Sequence, residues 1–104
     1  MEQEEVIQRI KELGKKILPE GASLWLYGSR ARGDARPDSD YDLLILLDKD
    51  VLREPDTDVI YEMAELGWEL STEINAHAYP RNEWDRWTYS PFYKNVIQDK
   101  RVLI

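Results

Sequence analysis

The sequence predicts an α/β domain, a small mixed or parallel sheet flanked by helices, because two amphipathic helical stripes alternate with three short apolar runs that read as strands. Val6, Ile10, Leu13 and Ile17 recur at helical spacing with Glu, Gln and Lys between them, which places a first helix ending near Pro19 with its apolar stripe toward a sheet. Pro19-Glu20-Gly21 breaks the chain, and Ser23 to Tyr27 then reads as a buried strand stopped at Gly28. Gly28 to Ser39 is polar and dense in Arg, Gly, Pro and Asp, a loop with room for one helical turn. Tyr41 to Leu47 is the most hydrophobic run of the chain, and its length and flanking aspartates favour a central strand over a helix.

Beyond a charged connection from Lys49 to Asp58, the residues Val59, Met63, Leu66 and Leu70 repeat the helical spacing, with Asp56, Thr57 and Asp58 where an N-cap and a first-turn charge belong. From Glu73 to Tyr79 the pattern changes to a period of two, with Ile74, Ala76 and Ala78 on one face and Glu73, Asn75, His77 and Tyr79 on the other. This third strand ends at Pro80. Asn82 can cap a turn carrying Trp84 and Trp87, and Ser90-Pro91 supplies an N-cap and a proline at the first helical position of a closing helix or extended tail.

Length and composition bound the function. At 104 residues the chain is expected to form one domain over 1–104, and 42% hydrophobic residues with four tryptophans and six tyrosines suffice for one core. A formal charge of −7 opposes adsorption onto a phosphate backbone, so nucleic acid is an unfavourable partner. The absence of cysteine excludes a disulfide framework, a thiolate zinc site and a cysteine nucleophile. Met1-Glu2-Gln3-Glu4-Glu5 lacks a signal-peptide core, and no apolar run approaches the roughly 20 residues that span a bilayer, so a soluble cytoplasmic protein with no membrane partner is expected.

Chemistry concentrates between residues 28 and 42. A glycine directly after a strand lets the backbone turn and approach a ligand, and a short helix starting at Ser29 would offer free amides to a phosphate. Arg30, Arg32 and Arg36 add positive charge suited to a polyphosphate, although Arg32 and Arg36 can equally pair with Asp34 and Asp38. In a strand, Asp40 and Asp42 share one face with Cα atoms roughly 6.6 Å apart, and two like charges there call for a neutralising cation such as Mg²⁺.

Gly28-Ser29, ten intervening residues and Asp40-Tyr41-Asp42 together resemble the signature of the DNA polymerase β-like nucleotidyltransferase superfamily. The wider run Leu26-Tyr27-Gly28-Ser29-Arg30-Ala31-Arg32-Gly33-Asp34 and the ending Ser90-Pro91-Phe92-Tyr93 resemble its small stand-alone branch, the minimal nucleotidyltransferases. The resemblance implies the minimal nucleotidyltransferase fold, with Asp40 and Asp42 as catalytic Mg²⁺ ligands and Gly28, Ser29 and Arg30 as the nucleotide-binding residues. It implies transfer of a nucleoside monophosphate, AMP from ATP or that of another NTP, to an acceptor hydroxyl. It further suggests a small helical (HEPN-type) partner protein in a toxin–antitoxin pair.

The family's third carboxylate has no obvious counterpart. The third strand's polar face offers Glu73, at its start, Asn75, which cannot act as a base, and His77, a poor ligand for hard Mg²⁺. A catalytically weakened nucleotide- or partner-binding domain is therefore the second reading. Asp38 reads as a turn cap, His77 as a structural or partly exposed strand histidine, and Glu62, Glu65 and Glu69 as a solvated helix face. Trp25, Trp68, Trp84, Trp87 and Phe92 read as core or interface residues.

Overall fold

The computed structural model describes residues 1–104. Helix α1, Gln3–Ile17, carries Glu4 and Glu5 in its first turn and Lys15 and Lys16 in its last, the arrangement that complements a helix dipole. Its inner face buries Val6, Ile7 and Ile10, so the core stripe includes Ile7, while Leu13 and Ile17 pack at the margin.

Four strands form one sheet in the order β3-β2-β1-β4, with β1 at Ser23–Tyr27, β2 at Tyr41–Leu47, β3 at Ile74–Pro80 and β4 at Arg101–Val102. β1 runs antiparallel to β2, placing Tyr27 opposite Asp42, and β2 runs parallel to β3, placing Asn75 opposite Asp42. The sheet is therefore mixed, with helix α3, Asp58–Glu69, making the crossover that a parallel pair requires. β4 escapes sequence inspection because it is two exposed residues long, yet the amides of Leu103 and Ile104 just beyond it both donate to the Leu24 carbonyl, at 2.8 and 3.1 Å.

Beyond Asp42, β2 is apolar because both of its faces are covered. Leu43, Ile45 and Leu47 join α1 and α3 in the main core, whereas Leu44 and Leu46 face a second cluster around Trp84 and Val96. That second layer comes from α4, Arg81–Trp84, and α5, Pro91–Asp99, whose N-cap Ser90 accepts a hydrogen bond from the Phe92 amide at 3.2 Å. The buried Trp84 ring packs with centroid distances of 4.8 Å to Tyr93, 5.8 Å to Phe92 and 6.2 Å to Trp25. No helix is long and apolar enough to cross a membrane.

Thr57 stands at the N-cap of α3 and Asp58 supplies its first-turn charge, as expected, while Asp56 closes a 3-10 turn at Glu54–Thr57, accepting from the Arg53 amide at 2.8 Å, because Pro55 pre-sets that turn. Trp68 belongs to neither core cluster and is 78% exposed on the outer face of α3.

Candidate active site

β1 ends on Gly28, whose φ of +75° lies where side chains are disfavoured, and a Cβ there would stand 2.7 Å from Asp42 Oδ2. The turn into the short helix α2, Ser29–Arg32, thus presses the backbone against a carboxylate. Both the Ala31 and Arg32 amides donate to the Gly28 carbonyl, at 3.0 Å each, which leaves the Ser29 and Arg30 amides outside the helical ladder.

Asp40 sits one residue before β2 and Asp42 on its second residue. Asn75 bridges them: its Nδ2 donates to Asp40 Oδ2 at 2.9 Å, and its own position faces Asp42 across the parallel ladder. Half-burial pushes the Asp42 carboxyl above its ordinary range, and the Asp40 charge adds to the rise, while Asn75, His77 and Arg32 offset part of it. Tyr27, opposite Asp42, is pushed up to about 12 by burial and by that same carboxylate.

Glu73 completes a row. Its carbonyl accepts from the Tyr41 amide at 2.9 Å, which sets the start of β3 beside Asp40, and the Asp40 charge raises the Glu73 carboxyl above its usual range. The row therefore runs Gly28, Asp42, Asp40, Glu73. Of the three residues left open by the sequence, Asn75 occupies the position across from Asp42 and Glu73 is the carboxylate beside Asp40. His77, exposed and edge-on to Phe92 at 6.5 Å, lies two positions further along the strand.

The Arg30 side chain is held by the neighbouring loop. Its guanidinium donates to the Ser39 carbonyl at 2.9 and 3.2 Å, to the Pro37 carbonyl at 3.2 Å and to Gln3 Oε1 at 3.2 Å. It also lies 4.4 Å over the Tyr41 ring. The side chain braces the 33–39 loop and so aims Asp40. Arg32 is likewise engaged, bonded to Asp34 at 3.2 Å and to Asp99 on α5 at 2.8 Å. The Arg32–Asp34 pairing was open to the sequence, whereas Gln3 beside Arg30 and Asp99 beside Arg32 lie in segments whose proximity only the fold creates.

The donors suit Mg²⁺. Adjacent hard carboxylate oxygens carry uncompensated repulsion that a divalent cation relieves, and Mg²⁺ is commonly held by one or two carboxylates with the rest of its shell from phosphates and water. No group of three or more His, Cys, Asp or Glu side chains comes together as a metal cage.

Gly28→Ala tests the turn. Forcing Cβ into that backbone and against Asp42 is expected to cost about 1–3 kcal/mol, seen as a lower urea midpoint with an unchanged slope.

A glycine-serine turn closing one strand, beside an Asp-x-Asp opening its antiparallel neighbour on a helix-backed mixed sheet, defines a nucleotidyltransferase. The family model for the nucleotidyltransferase domain matches residues 4–104, and the chain belongs to that family. Solved structures share the fold at low identity. A toxin–antitoxin complex with AMP-PNP superposes with a TM-score of 0.67 at 20% identity, covering 94% of this chain and 72% of that one. A complex of tri-AMPylated Shewanella oneidensis HEPN toxin with its MNT antitoxin gives a TM-score of 0.64 at 18% identity, covering 99% and 72%. The MntA-HepT toxin–antitoxin complex gives 0.61 at 18% identity, covering 97% and 71%. No curated protein sequence matches the chain.

Proposed function

We propose that residues 1–104 act as one Mg²⁺-dependent domain that transfers AMP from ATP, or the equivalent group of another NTP, to a hydroxyl on a small helical (HEPN-type) partner in the cytoplasm. The observation that carries this reading is the convergence of Asp40 and Asp42 against the Gly28 turn. Asp40 and Asp42 would hold the metal, which when bound neutralises phosphate charge and polarises the α-phosphorus. The Ser29 and Arg30 amides, on the close-approach backbone at Gly28, hold the β- and γ-phosphates. The acceptor oxygen bonds to the α-phosphorus as the bridging P–O bond breaks, and pyrophosphate departs with that electron pair. The hydroxyl proton passes to Glu73, the carboxylate nearest Asp40. The AMPylated toxin in one structural neighbour and the AMP-PNP in another support this choice of nucleotide and acceptor class.

Labelling of such a partner from α-³²P-ATP, with pyrophosphate release counted in parallel, tests the reading. Glu73→Gln is expected to slow transfer by about 100-fold while calorimetric Mg·ATP affinity survives; an unimpaired rate in this variant would remove Glu73 from the chemistry. The amide of Asn75 opposite Asp42 favours a second reading, a nucleotide-binding domain without turnover. Metal-dependent ATP binding with no pyrophosphate release in the presence of partner would establish that alternative.

A further inference from the structure

We propose that β3 is a docking seam for a second copy of this chain: the two β3 edges pair antiparallel about a two-fold axis at Ala76, and Trp68 and Tyr61 of the two copies meet above them. The two edges of the sheet are built differently. β4 is two exposed residues long and carries Arg101, held by Glu4 at 2.7 and 2.9 Å, and such shortness and charge keep an edge from adding a strand. β3, at the opposite edge, has neither device. It runs seven residues in unbroken register along β2, with no Lys, Arg, Asp or Glu among them and its proline at the last position.

The outer backbone of β3 is available. The Tyr41 amide donates to the Glu73 carbonyl at 2.9 Å, so the alternation of a parallel ladder turns the backbone groups of Asn75, His77 and Tyr79 toward β2 and those of Ile74, Ala76 and Ala78 outward. The flank of α3 over this edge is also uncovered. Glu62, Glu65 and Glu69 face α1 in a groove shared with Arg9 and Lys16, whereas Tyr61, Ala64 and Trp68 recur at i, i+3 and i+7 on the side of Ile74 and Asn75. Tyr61 is 69% exposed and, with Trp68, leaves two large aromatic rings in water on one uncharged flank, the mark of an interaction surface.

Shape and charge together select the occupant. An axis at Ala76 sets Ile74 of each copy against Ala78 of the other, which satisfies all the outward residues with about six hydrogen bonds. Trp68 lies level with Ile74, and Tyr61 stands roughly 10 Å back along the helix, about three strand residues, near the level of Ala78. The same axis therefore lays each Trp68 against the other copy's Tyr61. The chain carries a net charge of −7, yet no charge opposes its like across this seam: the two Glu73 carboxylates are set at opposite ends, each facing the second copy's Tyr79. A basic partner finds no counter-charge on the strip, while a second copy matches its backbone groups, its rings and its neutrality at once. Asn75 then faces the second copy's His77 on the sheet face of Asp42, so each copy walls the other's carboxylate row.

Sedimentation velocity of the full chain over a dilution series, with amide exchange by NMR on the same samples, tests the seam. The chain is expected to be dimeric at roughly 100 µM, with a dissociation constant of micromolar order. The amides of Ala76 and Ala78 exchange severalfold more slowly as concentration rises, while those of Asn75 and His77, bonded within the chain, change far less. Trp68→Glu raises the dissociation constant by roughly 30-fold or more, and Trp68→Phe keeps most of the affinity. Ala78→Pro deletes one outward donor without touching the β2 ladder and weakens the dimer as well. Trp68 is exposed, so its variants fold, and unchanged circular dichroism confirms it. A chain that stays monomeric up to about 500 µM overturns the inference and leaves the edge to a different protein. A dimer that tolerates both Trp68→Glu and Ala78→Pro also overturns it, as does one in which Ala76 and Ala78 exchange independently of concentration.

Discussion

Asp40→Asn combined with Asp42→Asn abolishes metal-dependent ATP binding in calorimetry and lowers nucleotidyl transfer by about 1,000-fold or more. Asparagine keeps the shape and the polar contacts of both positions, so the loss isolates charge. The metal-free protein, in contrast, keeps its thermal midpoint or gains slightly, because two neighbouring carboxylates, one half-buried with its pKa raised, no longer repel each other. The opposite movement of ligand binding and stability is the signature of groups placed for a cation. Parallel loss of both would instead identify the pair as structural, and full Mg·ATP affinity in the double variant would remove the metal site altogether.

The second large effect concerns the layer behind the site. Trp84→Ala is expected to destabilise the protein by about 3–5 kcal/mol, a large share of the 5–15 kcal/mol that holds a typical small domain. Trp84 is 1% exposed, and it is the one ring that touches Trp25, Tyr79, Trp87, Phe92 and Tyr93 together. Removing it opens a cavity under Leu44 and Leu46, the residues that follow Asp42 along the central strand. The melting midpoint should fall by roughly 15 °C or more. Exposed Tyr89→Ala, four positions from Asp85 at the end of the same segment, should leave it nearly unchanged. A small shift with Trp84→Ala would mean that the second cluster is an appendage and not part of the cooperative unit.

Most of the sheet was legible because its strands and helices are long enough to show a period. The helical stripe at Val59, Met63 and Leu66 and the alternation at Ile74, Ala76 and Ala78 each repeat often enough to be read. β4 could not be read, since two residues carry no period and their pairing depends on β1 being present. The Gly28-Ser29 turn and the aspartates were visible as a spaced motif. Glu73 was only one of three open possibilities, because its nearness to Asp40 follows from the parallel register that sets Tyr41 against Ile74, and register across a helical crossover leaves no local mark. Arg30 illustrates the same limit from the other side. Its charge suggested a phosphate, and sequence inspection did not show that carbonyls nine and seven residues away, with Gln3 from another helix, also engage the side chain.

The double-sided burial of β2 also bears on how the chain finds its alignment while folding. A strand with one wet face reports a slip of one residue at once, because its apolar side turns to water. Leu43 to Leu47 offers no such check, being buried on both faces. What distinguishes the native alignment is the polar punctuation at its ends, Asp40 and Asp42 before the run and Asp48 after it. A slip by one position would draw a carboxylate under one of the two apolar layers, where an unpaired charge is strongly unfavourable. The aspartates proposed to hold the metal thus also act as alignment marks during the chain's assembly.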